Sequence, residues 1–241
     1  MFRDEAARFN GRDLDELYRE RLLPDASHPH PPPPHTFHCE ERLRGRRANV
    51  LQGLRLHAEV LSRSEQMQVL FFCRAMAELG RDGHLVGRTY NAPAKWRRGK
   101  GRVTVQLGCC YNYAQDREGN PPGILPRERV AGMPPFLRQL VDTMIDRRVL
   151  RPSERPDSCI IHFYSEGDCI PPHIDHHDFD RPFVTLSLLS EQPILFGTEI
   201  NVAGDGEFTA PFRLLLPVGS VLVLDGNGAT LPILNSRDYL L

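Results

Sequence analysis

Ser158-Cys-Ile-Ile-His162-Phe-Tyr164-Ser-Glu-Gly167-Asp168-Cys-Ile-Pro-Pro-His173-Ile-Asp175-His-His-Asp178-Phe-Asp-Arg181-Pro182-Phe183 is the stretch that decides the fold. It opens on a run of β-branched and aromatic residues, breaks at Gly167-Asp168, and resumes an apolar run at Phe183, the punctuation of short strands separated by turns. Within it His173 and Asp175 stand two residues apart, a spacing that directs both side chains to one face where the backbone is extended. Two histidines and one carboxylate on one face hold Fe(II) and leave the opposite positions open for a co-substrate and oxygen. His173-x-Asp175 supplies two of those three donors. Taken alone it fits ordinary surface or core histidines equally well, and the sequence contains ten histidines.

Outward from this stretch, further strand-like runs occupy 183–189, 194–196, 199–202, 212–216 and 220–224, again separated by Gly, Pro and Asp. Upstream the period changes. Ser62-Arg-Ser-Glu65 has capping-box spacing and opens a helix to about Leu79, with Val69, Phe72, Cys73 and Met76 on one face and Gly80 as its stop. A second helix follows Pro134-Pro135, striped by Phe136, Leu137, Leu140, Val141, Met144 and Ile145. Helices followed by many short strands predict an α+β, mainly β chain: a double-stranded β-helix, or jelly roll, with supporting N-terminal helices. Residues 1–48 read as a flexible appendage whose His28-Pro-His-Pro-Pro-Pro-Pro-His35 run favours a stiff, extended linker. The folded domain is expected over 49–229, and 230–241 as a divergent tail.

With 241 residues, 40% of them hydrophobic and 25% charged, the chain has the balance of one soluble globular domain plus a tail. No apolar run approaches a membrane span, and Met1-Phe-Arg-Asp-Glu5 lacks the apolar region of a secretory signal; the expectation is no membrane and an intracellular protein, nuclear or cytoplasmic. The six cysteines have neither C-x-x-C spacing nor scaffold density and read as reduced thiols. Charge is uneven despite a net of −1. Between Arg88 and Arg102 lie six basic residues and no acidic one, while the part of the chain after Arg102 carries eleven basic against eighteen acidic residues. Such a patch, interleaved with Tyr90 and Trp96, suits a phosphate backbone and a stackable base, or simply a solvated basic loop.

The opening stretch resembles the AlkB-like Fe(II)/2-oxoglutarate dioxygenases, and among them the plant members that remove N6-methyl groups from adenosine in RNA. The likeness runs from about residue 50 to about residue 229 and is most specific in Lys95-Trp96-Arg97-Arg98-Gly99-Lys100-Gly101-Arg102, Gly108-Cys-Cys-Tyr111-Asn112-Tyr113-Ala114, Asn120-Pro-Pro-Gly-Ile124 and Leu216-Pro-Val-Gly-Ser-Val-Leu-Val-Leu-Asp-Gly-Asn-Gly228. It implies that His173 and Asp175 bind Fe(II) and that Tyr164 hydrogen-bonds 2-oxoglutarate. His162 stands where the family usually places an asparagine for the same co-substrate. Tyr111 and Tyr113, with Arg97 and Arg98, resemble the lid over the flipped nucleotide, and His176 and His177 fall on the substrate side. The implied substrate is methylated single-stranded RNA such as mRNA, losing its N-methyl carbon as formaldehyde. The family also needs a second histidine ligand and an arginine for the distal carboxylate of 2-oxoglutarate. No histidine follows His177, and Arg237 is the only arginine beyond Arg213. The expectation is therefore a β-helix lacking its last strands, with a two-ligand site and little turnover.

Two other readings compete. A non-catalytic RNA-binding or regulatory protein uses the basic loop and tyrosines alone; a cupin-like iron protein for small molecules leaves the 95–102 block without a role. Oligomeric state is not legible in the sequence.

Overall fold

The computed structural model describes residues 13–43, 45–99, 101–112, 115, 119, 121–204 and 207–230, and the backbone of 233–236. Its elements are α1 (Leu14–Arg19), β1 (His35–Thr36), β2 (Glu40–Leu43), β3 (Arg46–Asn49), β4 (Arg55–His57), α2 (Arg63–Arg81), β5 (Tyr90–Asn91), β6 (Val103–Leu107), β7 (Tyr111–Asn112), β8 (Gly123–Ile124) and α3 (Pro135–Asp146). There follow β9 (Cys159–Phe163), β10 (Cys169–His173), β11 (Phe183–Leu186), β12 (Gln192–Phe196), β13 (Asn201–Gly204), β14 (Glu207–Thr209), β15 (Phe212–Leu216), β16 (Val221–Leu224) and β17 (Ile233–Ser236). The chain is mostly β with few helices, as the pattern of the sequence predicts. No described helix is long and apolar enough to cross a membrane.

Helix α2 starts where its capping box places it: Ser62 Oγ accepts from the Glu65 amide, and the Glu65 carboxylate accepts from the Ser62 amide at 2.7 Å. It does not stop at Gly80. The helix runs on to Arg81, and Gly80 serves packing instead, since a Cβ there would lie 2.3 Å from the Tyr90 ring. Helix α3 begins with Pro135, whose missing N–H costs nothing in a first turn. Phe72 of α2 stacks on Phe136 of α3 with centroids 4.4 Å apart.

Against these helices lies a four-stranded sheet of order β1-β4-β16-β11, and beyond it a second of order β10-β17-β12-β15. Strand β16 explains the layering. All four of its residues are buried; Val221 and Val223 join the helix-side cluster, whereas Leu222 and Leu224 join Ile194, Phe196, Leu214 and Leu216 of the second sheet. Alternation sends successive side chains to opposite faces. A strand apolar on both faces thus becomes the central layer, each side chain contributing about 1.5–3 kcal/mol by burial.

Two further expectations are corrected. The described part of 1–48 is not an appendage: Leu17 and Leu22 are fully buried against the helices, Tyr18 donates to the Gly132 carbonyl, and β1 pairs with β4. The anchor is a buried ion pair. Arg147 donates to both oxygens of Glu65, at 2.7 and 2.8 Å, and to the carbonyls of Val60 and Asp25, while the Asp25 amide donates to Glu65. The second correction concerns the tail. Residues 233–236, expected to leave strand edges open, form β17 and pair antiparallel with both β10 and β12.

Candidate functional site

Strand β10 contains Pro171 and Pro172, which cannot donate to a ladder, so it belongs at a sheet edge. There it lies, paired only with β17, its register shifting between Ile170 and His173. His173 ends the strand opposite Ile233. Its Nδ1 sits 2.9 Å from the Pro171 carbonyl, which can only accept, so Nδ1 carries a proton and donates to it. That Nε2 faces Asp175 Oδ1 at 3.6 Å, and both side chains are about two-thirds buried. An imidazole oriented by a backbone carbonyl beside a carboxylate is an arrangement that could hold part of a cation's coordination shell.

The loop after His173 is held by Arg181. Its guanidinium donates to the carbonyls of Asp175 (2.9 Å), His176 (3.0 Å) and Phe179 (2.5 Å) and lies 4.5 Å over the Phe183 ring. The structure makes Arg181 the clamp that positions Asp175. Tyr111, buried on β7, packs against His176 at 4.6 Å and Phe179 at 5.5 Å between centroids. His177 lies 6.1 Å from His176, with both rings exposed. Tyr111 and His176 are thus brought together beside the His173-Asp175 pair. Tyr113 lies outside the described residues.

His162 on β9 pairs across to Thr104 of β6, and its ring is 5.8 Å from that of Tyr164. Burial, then the charges of Arg102 and His173, push the His162 pKa down to about 4, so it is neutral at physiological pH. Its Nδ1 and the Nε of Arg102 are buried with no hydrogen-bond partner among the described residues. Two unanswered polar atoms next to His173 fit a carboxylate of 2-oxoglutarate, with Arg102 as its counter-charge. In the sequence Arg102 is one of six basic residues in a run; only the β6–β9 pairing shows that it stands beside His162.

The basic loop is docked rather than loose. Trp96 Nε1 donates to Asp168 Oδ1 at 2.9 Å, the Gly99 amide donates to the Gly167 carbonyl at 2.7 Å, and Arg98 pairs with Glu207 at 3.1 Å. Arg98, expected to meet RNA, is engaged in this exposed pair, which contributes little and yields readily to a phosphate. Arg97 is exposed.

Among the described residues no group of three or more His, Cys, Asp or Glu side chains is placed to hold a metal. The strand next to His173 reads Ile233-Leu234-Asn235-Ser236 and brings no histidine, cysteine or carboxylate alongside it.

A family model described as the 2OG-Fe(II) oxygenase superfamily matches residues 53–230. The chain is 55% identical over 193 residues to the RNA demethylase ALKBH9B of Arabidopsis thaliana, covering 80% of this chain and 38% of that protein. It is 30% identical over 193 residues to the RNA demethylase ALKBH10B of the same plant, covering 80% and 34%. It thus spans little more than a third of the length of these relatives. A solved structure, that of OsALKBH1, aligns with a TM-score of 0.49 at 19% identity, over 77% of this chain and 85% of that one. With its matched segment covering three strands of each four-stranded sheet and the His173-Asp175 pair, the chain belongs to the 2OG-Fe(II) oxygenase superfamily.

Proposed function

We propose that this chain carries the oxygenase domain of an RNA demethylase, acting by family chemistry on N6-methyladenosine in single-stranded RNA such as mRNA, with Fe(II) and 2-oxoglutarate as the groups it is built around. The two four-stranded sheets are the two sides of a double-stranded β-helix. The single observation that carries the reading is the juxtaposition of a carbonyl-oriented His173 with Asp175 at 3.6 Å, beside the Tyr111-His176 stack. In this reading His162, Tyr164 and Arg102 hold the co-substrate, Tyr111 and His176 flank the methylated base, and Arg97 and Arg98 meet phosphates.

Among the described residues His173 and Asp175 are the two protein ligands of this reading, and we expect slow turnover. The test is 2-oxoglutarate-dependent formaldehyde release from N6-methyladenosine RNA, compared with His173→Ala; little or no release is expected. Robust release that His173→Ala abolishes overturns the two-ligand account. The missing third donor favours a second reading, a non-catalytic RNA-binding protein. It requires salt-dependent RNA binding that survives chelation and is lost on Arg97→Glu with Arg98→Glu; binding indifferent to that charge reversal eliminates it.

A further inference from the structure

Trp96 is the only tryptophan of the chain and is half exposed, on a loop that is otherwise tightly fastened. Its indole N–H is bound to Asp168, a residue 1% exposed, whose other carboxylate oxygen accepts the Ser165 amide at 2.9 Å. One edge of the ring rests on backbone. A Cβ at Gly101 would fall 2.0 Å from Trp96 Cδ1 and 2.2 Å from Asp168 Oδ1, and one at Gly167 would fall 3.6 Å from Trp96 Cζ2. The indole is thus gripped by its edge and oriented, while much of its apolar surface faces water. Lys95, Arg97 and Arg98 around it are exposed, and its anchor Asp168 begins the short segment leading to His173.

An oriented aromatic plane among cations is the arrangement that binds single-stranded nucleic acid: the ring stacks a base, and the cations take the flanking phosphates. We propose that Trp96 is the stacking platform for an unpaired nucleobase of the RNA next to the His173-Asp175 pair, and that Asp168 is the positioning residue that fixes its plane. Asp168 also closes the turn into β10, so the platform and the metal pair share one rigid support. This rests on the RNA reading above.

Because Trp96 is the sole tryptophan, emission excited at the red edge of indole absorption reports this site alone. Single-stranded RNA containing N6-methyladenosine is titrated while its own fluorescence anisotropy measures binding independently, with a duplex of the same sequence as comparison. Quenching of Trp96 with the same midpoint as the anisotropy change, far weaker for duplex, is expected. Trp96→Ala should weaken binding about tenfold or more, and Trp96→Phe should retain most of it. Asp168→Ala should shift Trp96 emission to the red and weaken binding, and Asp168→Asn, whose single amide oxygen can accept from Trp96 or from Ser165 but not from both, should lose less of each; melting curves confirm folding. RNA that binds by anisotropy without changing Trp96 emission, or that binds the Asp168→Ala protein equally well, overturns the platform and leaves the RNA reading standing. No binding of any RNA overturns both.

Discussion

Arg147→Met isolates what fastens the N-terminal arm to the helices. In the native protein Glu65 is fully buried and Arg147 is 8% exposed, joined by two charge-assisted hydrogen bonds of 2.7 and 2.8 Å. Methionine fills the volume but leaves a buried carboxylate with only the Asp25 and Ser62 amides, and leaves the Val60 carbonyl without its donor, whereas the Asp25 carbonyl keeps the His28 amide. Breaking a buried pair by removing one partner costs about 3–5 kcal/mol, because the remaining charge is stranded. At roughly 3 °C per kcal/mol for a chain of this size, the melting temperature should fall by about 12 °C. The double variant Glu65→Leu with Arg147→Met should lose much less than the sum of the two single variants. The pair also sets a pH dependence. Burial pushes the Glu65 carboxyl up, but the Arg147 hydrogen bonds, the Asp25 and Ser62 amides and the Arg147 charge together hold it below its ordinary value. A depressed carboxyl stabilises above its unfolded pKa of about 4.3, and that contribution drains away as pH falls through the folded value. Scanning calorimetry across pH, with limited proteolysis of the arm, is the assay. A melting temperature within about 3 °C of the parent, or strictly additive single variants, would refute the coupling.

Further perturbations address the rest of the molecule. Burial, aided by Arg55, lowers the His57 pKa to about 4, and His162 is likewise near 4; since the unfolded imidazole titrates near 6.5, stability is intact above that pH and declines as pH drops towards 4, by up to about 3 kcal/mol per histidine. His57→Gln should flatten that decline in a pH series of melts, and an unchanged slope would disprove the assignment. Leu234→Pro removes a ladder donor from β17, which is paired on both sides, so amide exchange in β10 and β12 should accelerate; protection equal to the parent would show that β10 is held by something else. Gly101→Ala drives a methyl into Trp96 and Asp168, and a red-shifted Trp96 emission with weakened RNA binding is expected. Native-like emission from that variant would mean that the loop relaxes without losing its dock.

Much of this was legible before any coordinates. The capping box at Ser62, the stripe of α3 and the apolar run of β16 carry their periods in plain view, because local hydrogen bonding and one-sided burial impose them on neighbouring residues. His173-x-Asp175 was legible for the same reason, as an extended chain needs only a spacing of two. Other elements were not. Pro171 and Pro172 argue against a strand, and β10 exists because β17, about sixty residues further along, supplies its only ladder. The arm reads as a tether until the Glu65-Arg147 pair is seen to capture Asp25.

By itself, then, the sequence determined the mainly β class of fold, the two-residue spacing of His173 and Asp175 and the basic, aromatic character of the loop before them, all of which depend on residues close together in the chain. Only the tertiary structure decided which distant groups meet: Arg102 with His162, Trp96 with Asp168, Arg181 with the carbonyls behind Asp175, and β17 with β10. Those meetings satisfy buried polar groups across long separations, and no local pattern records them, because the free energy that selects them belongs to the packed whole.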